Sequence, residues 1–287
     1  MNQESSTTTT GRWRSFTWPS LAVAGGLGAL ELLRGRFQRR RMFLPERYPE
    51  GTWDPGAVGL DFEDLWFESG DGVALHGWWL PARAAKCTVL YCHGQTGALG
   101  SQVPVLEQLT RRLRANVFAF DYRGYGRSGG SPDEKGLYRD VRAAHRQLTE
   151  GIGEDPRRVV LFGHSLGGAV AIDAALEVPV AGLVAQATFT QMRDMAKSFY
   201  PNVPLHLVTR NHFRSIDKVG RIAVPKLFVH GERDDKVPLE IGCRLYEAAA
   251  EPKEWLALPR RGHHDLVTRG GMPYWLRLLA FCQACVG

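Results

Sequence analysis

The chain has 287 residues, 44% of them apolar, and a formal charge of +6; this length and composition allow one sizeable buried core. Seven Arg stand against two Glu in residues 1–41, so that segment carries +5 and the other 246 residues only +1, which points a basic tail toward a membrane surface and leaves a body with no nucleic-acid module. The five cysteines, Cys87, Cys92, Cys243, Cys282 and Cys285, are odd in number and scattered, which excludes a disulfide framework, and the C-x-x-C pair at the chain end has no second pair to complete a zinc site.

Residues 1–11 are polar and read as disordered. The run Phe16–Leu33, "FTWPSLAVAGGLGALELL", follows. Its 18 residues are near the lower limit for a bilayer span, and Glu31 with four Gly or Pro weakens it. Three readings stay open: a membrane anchor, a cleaved signal peptide with Arg12 and Arg14 as its charged start, or an amphipathic helix lying on a surface. If the run spans, the five arginines of residues 34–41 outnumber the two before it, and the body of the chain lies on the cytoplasmic side. The chain therefore divides into residues 1–42, a tail with a hydrophobic candidate anchor, and residues 43–287, one catalytic-sized domain.

From about residue 60, short apolar segments alternate with helical patterns. "LDFEDLWFES" and "GVALHGWWLP" read as strands joined by the turn Ser69-Gly70-Asp71-Gly72. "KCTVLYCH", "ANVFAFDY", "RRVVLFGH", "VAGLVAQA", "PKLFVHG" and "KEWLALP" read as buried strands. Leu99, Val103, Leu106, Leu109 and Leu113 share one helical face, and residues 134–149 and 238–250 show the same period. The alternation predicts an α/β fold: a mostly parallel sheet with helices on both faces and functional groups at the carboxyl ends of strands.

After "RRVVLF" comes Gly163-His164-Ser165-Leu166-Gly167-Gly168 and then a helix. This is G-x-S-x-G in the strand, turn, helix setting that exposes a nucleophilic serine. The turn is expected to hold Ser165 in a strained backbone conformation, so its neighbours must be nearly free of side chain, as Gly163 and Gly167 are. The backbone N–H of Leu166, at the helix N-terminus, is placed to stabilise an oxyanion. A second donor, the N–H of Gln95, is expected from His93-Gly94-Gln95-Thr96-Gly97, which follows a strand end; His93 itself reads as a buried structural histidine.

A serine hydroxyl needs a base, and histidine is the natural one at neutral pH. Chain order of serine, acid, histidine directs the search downstream. "KLFVHGERDDKVP" offers Asp234, with Asp235 as the alternative and helix capping as its other role. After "KEWLALP", Gly262-His263-His264-Asp265 offers His263 as base, with His264 as its solvent-facing neighbour. A metal site of His263, His264 and Asp265 is disfavoured, because adjacent loop residues diverge.

Gly163–Gly168, His93-Gly94, Asp121–Ser128, Gly231–Pro238 and Gly262-His263 together resemble the α/β-hydrolase superfamily from about residue 43 to the end. The resemblance is closest to small membrane-associated serine hydrolases with a short lid, in which these loops typically read His-Gly-Asn-Ala-Gly and Gly-His-Asn-Asp. Here they read His-Gly-Gln-Thr-Gly and Gly-His-His-Asp. The resemblance implies the α/β-hydrolase fold, a Ser165, Asp234, His263 triad, an acyl-enzyme intermediate, and esters or thioesters of small molecules as substrates. It implies no metal and no organic cofactor. A serine peptidase and an inactive membrane scaffold are the rival readings. Residues 187–221 fall where lids are inserted; Met192, Met195, Phe199, Tyr200, Pro201 and Leu205 give either an apolar lid or ordinary packing. "DYRGYGRSGGSP" lacks a phosphate-loop pattern and reads as a structural loop bordering the pocket.

Overall fold

The strand Cys87–Cys92 shows how the centre forms. All six residues are buried, with Val89 and Tyr91 in one apolar cluster and Leu90 and Cys92 in the other. A strand buried on both faces has no polar side to alternate, hence the continuous apolar run. A computed structural model describes residues 42–49, 51–199 and 212–287.

In chain order the strands are β1 (Leu44–Pro45), β2 (Glu63–Glu68), β3 (Ala74–Leu80), β4 (Cys87–Cys92), β5 (Thr96–Gly97), β6 (Ala115–Phe120), β7 (Val159–His164), β8 (Gly182–Gln186), β9 (Lys226–Gly231) and β10 (Lys253–Leu258). The helices are α1 (Leu99–Arg112), α2 (Glu134–Arg146), α3 (Leu166–Ala174), α4 (Met192–Phe199), α5 (Leu239–Ala248), α6 (Leu266–Arg269) and α7 (Gly271–Val286). Eight strands form one sheet in the order β10-β9-β8-β7-β4-β6-β3-β2. Its pairs are parallel except β2 with β3 and β3 with β6. The β2–β3 turn closes at Gly72, whose φ of 77° is left-handed. Helices α2, α3 and α5 cover one face, and α1 and α7 the other. This is the mostly parallel, doubly covered sheet expected from the alternation. Helix α3 starts at Leu166, three residues earlier than the apolar run suggests, and all nine of its residues are buried.

Two features were not legible in the sequence. The stretch from Met42 to Arg47 is a strap: β1 pairs with β5 beside the Gln95 loop, Leu44 N–H donates to the Gln95 carbonyl at 3.0 Å, and Met42 and Phe43 are buried. The loop after β6 is held by Arg123. Its guanidinium bonds Asp140 at 2.7 Å, Asp71 at 2.8 Å and Ser69 at 2.9 Å, tying the β2–β3 turn to α2. Asp140 is fully buried, which raises its carboxyl, and Arg123 opposes that shift.

In the expected lid stretch, Met192 and Met195 of α4 pack against the core, while Phe199 is exposed. Tyr200, Pro201 and Leu205 lie outside the described residues, as does the candidate anchor Phe16–Leu33. No helix among the described residues is long and apolar enough to cross a membrane. The cysteines are all unpaired, with Cys282 buried on α7.

Arg123→Met should destabilise the fold by about 3–5 kcal/mol, because Asp140 is left buried without its partner. Urea unfolding measures this, and Arg123→Met combined with Asp140→Leu should recover part of the loss.

Candidate active site

Strand β7 ends at His164 and α3 begins at Leu166, so Ser165 alone makes the turn. It adopts φ 55° and ψ −117°, a conformation that a residue with a Cβ rarely takes unless its surroundings hold it. The surroundings do so at both ends. Ser165 N–H donates to the Gln186 carbonyl at 2.9 Å, and its own carbonyl accepts from Gly168 N–H at 3.0 Å and the Thr188 hydroxyl at 2.7 Å. Its side chain makes no capping bond to α3.

The flanking glycines do what was expected of them: they keep side chains away from a turn whose strain falls on Ser165. Positive φ falls on Ser165 and not on Gly163 or Gly167. A Cβ on Gly163 would collide with the Gly167 carbonyl, and one on Gly167 with the Cys92 carbonyl at the end of β4. The glycines are needed for close backbone approach rather than for torsional freedom.

The loop after β4 lies against the same turn. A Cβ built on Gly94 would stand 3.6 Å from the Ser165 Cβ. His93, wholly buried, has its Nδ1 2.8 Å from the Gly94 carbonyl. A carbonyl only accepts, so Nδ1 carries the hydrogen, and the bond orients the peptide whose N–H belongs to Gln95. Tyr125 OH donates to the Gln95 carbonyl at 2.8 Å, fixing the next peptide. The expected structural histidine therefore acts on the loop that carries Gln95.

Asp234 follows β9, and His263 follows β10. His263 Nδ1 lies 2.8 Å from Asp234 Oδ2, with both side chains buried. Asp234 Oδ1 accepts from Lys236 N–H and Val237 N–H, both at 2.8 Å. Asp235 instead points outward, 70% exposed beside Lys236, and it is Asp234 that caps the turn into α5. The two loops are joined directly: Arg233 N–H donates to the Arg261 carbonyl at 2.8 Å, and a Cβ on Gly231 would collide with that carbonyl. Asp265 turns back to accept from Gly262 N–H at 2.8 Å.

Sequence reasoning passed over His164. Its ring centroid lies 4.9 Å from that of His263, which is 4.8 Å from that of His264. The structure thus brings Asp234 and His263 into contact and sets His263 beside the residue preceding Ser165. No hydrogen bond links the Ser165 hydroxyl to His263; such contacts commonly tighten only around substrate. Burial, reinforced by the neighbouring imidazoles, holds His164 well below the usual histidine range, and burial also lowers His230 and His264. Among the described residues, His164, His263 and His264 are the one group of three whose ligand atoms lie close enough to hold a metal ion, within 4.8 Å of one another. The disfavoured set with Asp265 is not assembled.

The profile of the alpha/beta hydrolase family matches residues 73–280. The chain is 36% identical to an uncharacterized protein of Mycobacterium tuberculosis over 79% of this chain and 81% of that one. It is 31% identical to the alpha/beta hydrolase domain-containing protein WAV2 of Arabidopsis thaliana, over 86% and 88% of the two chains. Among solved structures, an esterase of Pyrococcus furiosus superposes with a TM-score of 0.70 at 25% identity, covering 85% of this chain and 100% of that one.

The buried histidines set an acid limit on stability. Folded His164 and His230 bind protons less readily than the unfolded side chain, whose pKa is 6.5. Below that value the unfolded state takes up more protons, so stability is full above it and falls as pH drops. Each such group should contribute a slope of up to about 1.4 kcal/mol per pH unit. Urea midpoints between about pH 7.5 and about pH 5.5 should fall, and less steeply in His164→Asn.

Proposed function

The chain belongs to the alpha/beta hydrolase family, and on that footing we propose that it is a serine hydrolase cleaving carboxylic ester or thioester bonds, with Ser165 as nucleophile. The observation that carries the reading is Ser165 held at φ 55° on the turn between a buried strand and a buried helix. That geometry withholds the hydroxyl from capping and presents it at the carboxyl edge of the sheet.

In the proposed mechanism His263 donates its Nδ1–H to Asp234, which leaves Nε2 as the base. His263 takes the Ser165 proton as the oxygen attacks the acyl carbonyl. The N–H groups of Leu166 and Gln95 stabilise the oxyanion, and each such donor is worth about 10² to 10³ in turnover. His263 then protonates the leaving alcohol or thiol, and water, activated by the same nitrogen, releases the acid. The contact between Asp234 and His263 at 2.8 Å supports the assignment of acid and base. The esterase likeness is consistent with ester substrates.

Ser165→Ala should lose fluorophosphonate labelling and lower kcat/KM on p-nitrophenyl esters by about 10⁴ to 10⁶, and Asp234→Asn by about 10⁴. A series of esters and matched thioesters of graded chain length reads the acyl preference. Labelling that survived in Ser165→Ala would refute the assignment.

Residues 16–33 and the arginines after them support a further part of the reading: attachment of the chain to a membrane surface with the hydrolase domain on the cytoplasmic side. The full chain should then sediment with membranes of expressing cells, resist carbonate extraction, and be digested by protease only after the cytoplasmic face is opened.

A further inference from the structure

We infer that His164, His263 and His264 form a binding site for a divalent transition-metal ion of the zinc type, and that the bound ion switches the hydrolase off by occupying His263. The inhibitory half rests on the proposed function; the binding half does not.

The three residues come from two places in the chain, the last residue of β7 and the segment between β10 and α6, and their ligand atoms lie within 4.8 Å of one another. In a tetrahedral zinc site with Zn–N near 2.0–2.1 Å, ligand nitrogens stand roughly 3.3 Å apart. Closing the remaining gap needs a shift of roughly 1.5 Å in one ring. His264 is exposed and free to make it, whereas His263 is buried and held.

The surrounding groups suit metal binding. Asp234 accepts from His263 Nδ1, the carboxylate, histidine, metal arrangement that leaves Nε2 directed at an ion and raises its basicity. His164 Nδ1 lies 3.3 Å from the Gln186 amide nitrogen, and the Gln186 carbonyl oxygen accepts from Tyr274 OH at 2.9 Å. Turning that amide over keeps both contacts: Nδ1–H then donates to the Gln186 oxygen, and the amide donates to the tyrosine oxygen. His164 Nε2 is thereby released as a ligand. The other two histidines nearby are committed elsewhere, His93 to the Gly94 carbonyl and His230 to the Val237 carbonyl. Three imidazoles select zinc, cobalt, nickel or copper over magnesium or calcium. The exposed side of His264 gives an entry path and leaves the fourth position to water.

The same nitrogen cannot bind zinc and accept the Ser165 proton. Occupancy therefore competes with catalysis and needs no movement of the fold.

The test uses the tag-free full chain carrying Ser165→Ala, titrated with Co²⁺ and followed by visible absorption. One equivalent should bind with the intense bands of four-coordinate cobalt, and Zn²⁺ should displace it. A thiolate-to-metal band in the near ultraviolet would place the ion on one of the five free cysteines and overturn the proposal. His164→Asn and His264→Asn, each added to Ser165→Ala, should weaken binding at least about tenfold. In the chain with Ser165 intact, Zn²⁺ should inhibit p-nitrophenyl ester hydrolysis reversibly with a chelator. His264→Asn should raise the inhibition constant by a similar factor, judged against its own zinc-free rate. Binding that is absent from the folded chain, or unchanged in both histidine variants, overturns the inference. Stoichiometric cobalt binding by a chain that hydrolyses no ester would sink the proposed function and leave the metal site standing.

Discussion

The first turn of α3 rests on the last carbonyls of β4 with no side chain between them. Gly167 meets the Cys92 and His93 carbonyls, and Gly163 meets Gly167. Backbone against backbone is the closest approach a protein can make, and it leaves Ser165 no relaxed conformation. Its positive φ follows from where the strand and helix must lie, and neither can yield. Strand β7 is paired on both sides, and α3 is buried along its whole length. The same contact brings the Gly94 loop, which leaves β4, beside the N-terminus of α3. The two backbone donors of the proposed mechanism are therefore neighbours because of one missing pair of side chains.

The rest of the candidate site is hung from this point by β8. Its terminal Gln186 accepts from Ser165 N–H on one side, and Ala187 donates to the Val229 carbonyl of β9 on the other. Strand β9 delivers Asp234, and β10 delivers His263. Their loops are sewn together by Arg233 and Arg261 before either side chain is considered. Asp234 and His263 thus form one piece, and Ser165 another. The spacing between the pieces is set by strand separation, about 4.8 Å per step, rather than by loop conformation.

Much of this was legible in the sequence. Strands β4, β6, β7, β8 and β9 are apolar runs because both faces are buried, and a serine between two glycines after such a strand narrows the interpretation further. Other features lacked a signal. Asp234 and Asp235 are chemically identical neighbours, and they part only in three dimensions, where Asp234 meets His263 and caps the turn into α5 while Asp235 faces outward. That the bare position 167 faces the Cys92 carbonyl at the end of β4, 75 residues earlier, leaves no local trace either. His164 occupies the variable position of its motif, so its pairing with His263 and His264 arises only in three dimensions. Strand β1 has two residues, too short for any periodicity to show.

That two-residue strand bears on where the domain begins. The family profile starts at residue 73, and a boundary drawn there would also remove β2 from the sheet edge. Between them, Leu44 N–H and Glu46 N–H hold the Gln95 and Gly97 carbonyls, and Gly126 N–H donates to the Glu46 carbonyl. The stretch from Met42 to Arg47 is thus a girder shared by the β4–α1 loop and the loop after β6. A shortened protein must keep it, with Met42 and Phe43 seated. A pull on the chain at Met42 would therefore be felt first by the Gln95 loop, through the hydrogen bonds of β1.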